Sequence, residues 1–116
     1  MSVTIYHNPR CSKSRTTLAL LEAEGISPSI RLYLDHPPTA EELASLLLML
    51  GMTSPRELMR KGEDAYKEGH LDNHSLTTDE LIAAIIATPK LIERPIVICQ
   101  GQARIGRPPE QVLEIL

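Results

Sequence analysis

The sequence predicts a single α/β domain built on a mixed four-stranded sheet, in the order β-α-β, helical block, β-β-α. The chain opens with a strand, a helix and a second strand, the pattern of a parallel pair joined by a crossover. Several capped helices follow, and a hairpin and a short helix close the chain. Residues 1–116 are assigned to this one domain, with the helical insertion at about 39–90.

The opening β-α-β unit is predicted from local patterns. Residues 2–6 (SVTIY) are strand-forming and end at the turn-forming HNP. The helix runs from about Pro9 to Glu24 and stops at Gly25, because glycine is favoured just past a helix C-terminus. Residues 29–34 (SIRLYL) alternate polar and apolar side chains, which predicts the second strand.

Three capping boxes predict three short helices in the middle of the chain. Each pairs a Ser or Thr with a Glu three residues later: Thr39 with Glu42, Ser54 with Glu57, and Thr77 with Glu80. Gly51 ends the first helix, and Pro55 begins the second. The polar segment 69–75 (GHLDNHS) is predicted to be the loop before the third.

The last part of the chain predicts a hairpin and a helix. Residues 93–99 (ERPIVIC) form the first arm, Gln100 and Gly101 the turn, and 102–105 (QARI) the second arm. A short helix, begun by proline, is expected in residues 108–116.

Composition narrows the function classes. A net charge of −3 and three aromatic residues disfavour nucleic acid as a partner. No membrane span and no signal peptide are expected, and two cysteines 88 positions apart do not indicate a disulfide scaffold. These features favour a reducing, cytoplasmic location. No bound cofactor is expected. No metal site is expected either, because His70 and His74 lie in a predicted loop and no third ligand is found nearby.

The stretch HNPRCSKSR places a cysteine at a strand-to-helix turn among positive charges. The helix N-terminus stabilises an anion, and His7, Arg10, Lys13 and Arg15 add charge, so the pKa of Cys11 is predicted to be lowered. We interpret the loop as a site that activates the thiol and holds an anionic substrate. The alternative is a small buried cysteine with solvated charges around it. The loop residues assigned to substrate binding are Ser12, Ser14 and Arg15.

Spacing excludes some thiol chemistries. Cys11 and Ser14 form C-x-x-S, so the loop cannot form its own disulfide. A phosphatase loop of the C-x5-R type would need arginine at position 17, which is Thr17. Cys99 is predicted to be a buried core thiol, and the alternative is a redox partner of Cys11, which would require close approach in the fold.

The segments HNPRCSKSRTTL, LYLDHPPTAEEL, PRELMRK, ERPIVI and RIGRPPEQVLEIL together resemble the glutaredoxin-coupled arsenate reductase family over essentially the whole chain. The resemblance implies a thioredoxin-like fold with an inserted helical subdomain. It departs from the family at the nucleophile loop, where Arg10 and Lys13 stand in place of small neutral residues.

The resemblance also implies site residues. Cys11 would be the nucleophile, and His7 would help to ionise it. Arg60, Arg94 and Arg107 would bind the oxyanion, because the planar guanidinium matches a tetrahedral anion. In addition, the resemblance implies a cis bond before Pro95, beside the thiol. The remaining arginines with no such match, Arg31, Arg56 and Arg104, are predicted to be solvated surface residues.

The implied reaction is the reduction of arsenate to arsenite. The Cys11 thiolate would form an ester with arsenic, glutathione would attack as co-substrate, and glutaredoxin would accept the glutathione moiety. Two other functions stay open. One is a thiol oxidoreductase that acts on another oxyanion or on glutathionylated proteins. The other is a binding protein like the redox-sensing transcription regulators, which the absence of a C-x-x-C pair disfavours.

Overall fold

The structure is a computed structural model that describes residues 2–116. The chain divides into two compact units. The first consists of residues 2–36 together with Arg94–Leu116, and the second is Pro37–Glu93. The second unit therefore enters the sequence between the opening β-α-β segment and the closing hairpin.

The first unit contains a four-stranded sheet in the order β2-β1-β3-β4. The strands are β1 (Val3–Tyr6), β2 (Ser29–Arg31), β3 (Ile96–Cys99) and β4 (Gln102–Ile105). β1 pairs with β2 in parallel, while β3 pairs antiparallel with both β1 and β4. The predicted mixed sheet, with its parallel opening pair and closing hairpin, is confirmed.

One apolar cluster fills the core of the first unit. Alternate residues of a strand point to the same face, so Val3 and Ile5 of β1 share a face with Val97 and Cys99 of β3. The helix α1 (Ser12–Ala23) and a C-terminal 3₁₀ helix contribute the rest. The buried members of this cluster are Val3, Ile5, Leu21, Val97, Cys99, Val112 and Ile115.

Three element boundaries differ from the prediction. β2 ends at Arg31, not at residue 34, because the backbone turns there: the N–H groups of Asp35 and His36 both donate to the carbonyl of Leu32, at 3.0 and 2.9 Å. α1 begins at Ser12, not near Pro9, so Cys11 becomes its N-cap. β3 begins three residues later than predicted, at Ile96.

The second unit is helical. All three predicted capping boxes are present, and two of them open α2 (Ala40–Leu50) and α4 (Thr78–Ala87). A further short helix, α3 (Asp64–Glu68), was not predicted. The second box opens only a 3₁₀ helix, Pro55–Leu58, because the next residue, Met59, is extended and forms a β-bridge. This bridge holds the backbone out of a helix, so tertiary pairing overrides the helix signal.

The end of the chain follows the predicted order with a tighter helix. Gln100 and Gly101 form the hairpin turn, both with positive φ (51° and 78°), a conformation that glycine adopts easily. The closing helix is a 3₁₀ helix, Pro109–Ile115, and not an α-helix. Within residues 2–116, no helix is long and apolar enough to cross a lipid bilayer.

Candidate active site

Cys11 lies at the junction between the turn after β1 and the helix α1. Its backbone is extended (φ −94°, ψ 123°), and its carbonyl accepts a hydrogen bond from the N–H of Arg15 at 3.0 Å, in the first turn of the helix. At this N-cap position most helices place an oxygen that accepts from free backbone N–H groups. Here the side chain is a thiol that makes no capping hydrogen bond, and the nearby backbone N–H groups of Ser14 and Lys13 act on it by lowering its pKa.

The net effect of this environment is a lowered pKa of the Cys11 thiol. Partial burial raises the pKa, but four favourable interactions outweigh it. They are the backbone N–H of Ser14, the donor groups and the charge of the Arg94 side chain, and the backbone N–H of Lys13. Each favours the thiolate, which is the nucleophilic form of cysteine.

Two predicted anion-binding arginines lie beside the sulfur. Arg107 places its Nη2 4.0 Å from the Cys11 Sγ, and its Nε donates to the backbone carbonyl of Arg94 at 2.8 Å. Arg94 thus acts twice, since its side chain stabilises the thiolate and its carbonyl holds Arg107 in place. Both arginines are next to cis peptide bonds, Arg94–Pro95 and Arg107–Pro108.

The Arg94 guanidinium also carries an unused donor. Its Nε is buried and has no hydrogen-bond partner among residues 2–116. A buried donor without a partner costs about 1–3 kcal/mol, so native structures usually provide one. An anion bound next to the thiol would satisfy it.

Gly106 sets the close approach between the two cis-proline segments and α1. A Cβ at this position would lie 2.7 Å from the Thr17 hydroxyl oxygen and 2.9 Å from Cγ of Pro95. Its N–H also donates to the carbonyl of Pro95 at 2.9 Å. Glycine at position 106 therefore allows the backbone to lie close to both Pro95 and Thr17 of α1. Its hydrogen bond to Pro95 also holds the backbone just before Arg107. Sequence reasoning missed this residue, although a glycine directly before a candidate anion ligand was a usable signal.

A buried polar network supports the loop from behind. The Nδ1 of His7 lies 2.6 Å from the hydroxyl oxygen of Ser14, and that oxygen accepts a hydrogen bond from the Asn8 N–H at 3.0 Å. Burial, and secondly the charge of Arg15, lower the pKa of His7, so the neutral imidazole is favoured. A neutral His7 can accept a hydrogen bond from the Ser14 hydroxyl at Nδ1.

The source of the positive potential differs from the prediction. We expected His7, Arg10, Lys13 and Arg15 to supply it, but the lowered pKa of His7 favours its neutral form. The Arg15 guanidinium instead donates to the carbonyl of Pro9 at 2.9 Å and closes the loop. Lys13 acts on the thiol through its backbone N–H. The main side-chain charge that lowers the pKa of Cys11 comes from Arg94, which lies 83 residues further along the sequence.

The predicted substrate ligands fall in different settings. Ser14 is fully buried, so its hydroxyl serves the loop network while its N–H serves the thiol. Ser12 and Arg15 are exposed on the first turn of α1. Arg60 belongs to the second unit, where its guanidinium pairs with Glu63. Their roles as substrate ligands stay predictions.

The three arginines predicted to be solvated have structural partners instead. Arg31 donates to the carbonyl of His36 at 2.8 Å. Arg56 donates to two backbone carbonyls in the loop after α3. Arg104 pairs with Glu114 at 3.1 Å. All three are partly exposed surface residues, and each also has a partner that the prediction did not include.

Cys99 is a buried core thiol, as predicted. Its burial and its place on the sheet argue against a redox partnership with Cys11. In the antiparallel pair, Cys99 lies opposite Val3, at the start of β1, whereas the Cys11 loop follows Tyr6 at the other end. Three residues of strand span about 10 Å, and disulfide bonding requires Cα atoms within about 7 Å.

A β2-β1-β3-β4 sheet with a thiol after β1 and a cis-proline before β3 defines a thiol protein of thioredoxin-like fold. The ArsC family model matches residues 6–115, and the chain belongs to the ArsC family. It is 60% identical over 114 residues to the uncharacterized protein YfgD of Escherichia coli K12, covering 98% of this chain and 96% of that one.

Two further relatives extend the comparison. An arsenate reductase of Haemophilus influenzae is 55% identical over 116 residues, which cover 100% of both chains. The solved structure of an arsenate reductase from Vibrio cholerae superposes with a TM-score of 0.98 at 59% identity, covering 100% of this chain and 98% of that one. The predicted family and the thioredoxin-like fold are both confirmed.

Proposed function

We propose that this protein is an arsenate reductase in which Cys11 is the nucleophile. The observation that carries the proposal is a thiol of lowered pKa beside two guanidinium groups, one of which has a buried Nε–H without a partner. Arsenate, like phosphate, is a tetrahedral oxyanion that carries more than one negative charge near neutral pH. The names of the relatives from Haemophilus influenzae and Vibrio cholerae support the same substrate.

The proposed first step joins sulfur to arsenic. Arg94 and Arg107 would hold arsenate oxygens with the arsenic atom close to the Cys11 sulfur. Arg60, which the family resemblance implies, is proposed as a further substrate ligand. The thiolate attacks the arsenic, and one arsenate oxygen leaves as water after protonation. Preorganised positive groups that face developing charge are commonly the largest source of such rate enhancement.

The reduction needs a second thiol from outside the chain. Cys99 is too far along the sheet, so we propose glutathione as co-substrate and glutaredoxin as the protein that accepts its moiety. In total, arsenate and two thiols give arsenite, one disulfide and one water. As(V) gains two electrons to become As(III), the disulfide forms between glutathione and glutaredoxin, and Cys11 returns as thiolate. A reducing compartment such as the cytoplasm would keep Cys11 free for the next cycle.

The decisive experiment follows arsenate-dependent oxidation of NADPH, coupled through glutathione, glutaredoxin and glutathione reductase. Wild type and Cys11→Ser are compared. We expect turnover in the wild type and none in the variant. Wild-type protein that reacts with a thiol reagent at pH 7 but shows no arsenate-dependent turnover would reject arsenate as substrate. Other oxyanions and glutathionylated proteins would then be tested in the same coupled assay.

A further inference from the structure

A surface cleft lies next to the nucleophile and belongs to neither the anion site nor the core. It has a volume of about 430 Å³, within the range of small-molecule sites. One wall is the loop of residues 7–10, which leads directly into Cys11. The other wall is made by Leu32, Leu34 and Asp35, in the turn after β2. All of these residues belong to the first unit.

The cleft carries two opposite charges that the protein leaves uncompensated. Arg10 and Asp35 both line it and both are exposed. Within residues 2–116, neither side chain has a hydrogen bond or an ion pair, and the two are not paired with each other. Exposed charges need no partner to be stable, but here one cation and one anion share a single concave site.

The same cleft exposes apolar surface. Leu32 and Leu34 are 36% and 41% exposed, although both are large apolar side chains. Together with the charges they form a site with a cationic group, an anionic group and an apolar wall. Such a site suits a small zwitterion with an uncharged middle section, and it suits a purely anionic or purely apolar ligand less well.

We infer that this cleft is the binding site for glutathione, with Arg10 on a carboxylate and Asp35 on the ammonium group. The inference rests on the proposed need for an external thiol. Glutathione is a tripeptide with a carboxylate at each end, an ammonium group at one end and its thiol in the middle. Arg10 precedes Cys11, so their Cα atoms are about 3.8 Å apart, well within the reach of a tripeptide.

The assignment gives Arg10 a function that is separate from arsenate binding. Arsenate binding is served by arginines beside the sulfur, whereas Arg10 lines the neighbouring cleft. The co-substrate thiol would approach from the cleft side while the oxyanion is held from the Arg94 side. The two ligands would then occupy separate sites on either side of Cys11.

The test measures thiol exchange at Cys11 without arsenate. The thiolate attacks glutathione disulfide, a new Cys11–glutathione disulfide forms, and one glutathione thiolate leaves. Hydroxyethyl disulfide, which has no charged groups, reports the intrinsic reactivity of Cys11. Rates are measured by mass spectrometry for wild type, Arg10→Ala, Asp35→Asn and the control Arg104→Ala, whose arginine lies on β4 outside the cleft.

We expect Arg10→Ala and Asp35→Asn each to slow the reaction with glutathione disulfide by roughly three- to tenfold. Their reaction with hydroxyethyl disulfide should not change, and Arg104→Ala should match wild type with both reagents. The direction of the rate change in Asp35→Asn decides between two explanations. If glutathione disulfide were attracted only by net charge, loss of a negative charge would speed its reaction; if Asp35 binds the ammonium group, the reaction slows.

A faster or unchanged reaction of Asp35→Asn with glutathione disulfide would overturn the inference. So would an equal slowing of both reagents in Arg10→Ala, since the residue would then act on the thiol and not on glutathione. The arsenate-coupled assay is scored separately. Normal arsenate turnover with no cleft effect rejects only the cleft, whereas a cleft effect without arsenate turnover rejects only the substrate.

Discussion

One cysteine lies in the central sheet and the other at the start of a helix, and the two differ in almost every property that governs reactivity. Cys99 is fully buried in β3, among aliphatic side chains of the core. Cys11 is partly exposed at the N-cap of α1, where two backbone N–H groups and a guanidinium favour its thiolate. An identical side chain is thus a packing element in one place and a nucleophile in the other.

The comparison shows that reactivity is set by position and not by nearby sequence charge. The basic residues around Cys11 first suggested a thiolate, but most of them serve other purposes: Arg15 closes the loop and Arg10 lines a cleft. The strongest side-chain contribution comes from Arg94 at the start of the closing hairpin. Folding brings this charge to the thiol because β3 pairs directly with β1.

The sharpest way to break the comparison is to exchange the reactive thiol itself. Cys11→Ser should abolish arsenate-dependent turnover, by at least about a thousandfold, because serine is not ionised at neutral pH and cannot form the sulfur–arsenic bond. Cys99→Ala should keep turnover within about twofold and lower the free energy of unfolding by about 1 kcal/mol. Loss of turnover in a folded Cys99→Ala variant would contradict the assignment.

A second test removes the distant charge. Arg94→Ala should raise the pKa of Cys11, because a hydrogen bond and a positive charge that favour the thiolate are lost. Alkylation by iodoacetamide, followed against pH, should then show its midpoint shifted upward. Arsenate turnover at pH 7 should fall by about a hundredfold or more, since the same group is proposed to bind the substrate.

The control for this test is Arg104→Ala, which removes the same charge from β4 outside the site. Its alkylation midpoint and turnover should equal those of the wild type. If Arg94→Ala alkylated with an unchanged midpoint, the backbone N–H groups of Lys13 and Ser14 alone would explain the lowered pKa.

Local signals in the sequence were enough for much of the fold. The capping boxes at Thr39, Ser54 and Thr77 mark real helix starts, since a box depends on only four consecutive residues. The helix predicted after Ser54 is present but is only a 3₁₀ helix, because Met59 pairs with the distant Ile92 and stops it. Sequence reasoning therefore found the helix starts that carry a capping box better than the boundaries that depend on other parts of the fold.

The candidate site divides in the same way. Cys11 could be found from the sequence, because a strand-to-helix turn is a local pattern. Arg94 and Arg107 came only from the family resemblance, since their place beside Cys11 depends on sheet pairing between residues more than 80 positions apart. The lowered pKa of His7 was also out of reach, because burial is its first cause and burial is a property of the fold.

A third test perturbs the packing that brings the two ends of the site together. Gly106→Ala should lower the free energy of unfolding by about 1–3 kcal/mol, because its Cβ would meet Thr17 and Pro95 at less than 3 Å. It should also reduce arsenate turnover, since Arg107 is the next residue. Gly62→Ala is the matched control, because nothing lies within 4 Å of a Cβ there. Equal stability of the two variants would show that the contact relaxes freely.

The smallest expected effect concerns His7, which lies behind the loop. The fold lowers its pKa, so the unfolded chain binds a proton to His7 at a higher pH than the folded chain does. Between the ordinary histidine pKa of about 6.5 and the lower value in the fold, the free energy of unfolding should therefore fall as the pH falls. The slope cannot exceed about 1.4 kcal/mol per pH unit for one group, and it vanishes below the folded pKa.

His7→Asn should remove this part of the pH dependence, because asparagine does not titrate. His36→Asn serves as the control, since it makes the same replacement at an exposed residue in the turn after β2, outside the buried contact with Ser14. Chemical denaturation from pH 7.5 to 5.5 measures both variants above the range in which carboxylates titrate. An identical slope in wild type and His7→Asn would mean that His7 takes up its proton as readily in the fold as in the unfolded chain. The Ser14 contact would then hold a charged imidazole, and His7 would add positive potential behind Cys11 after all.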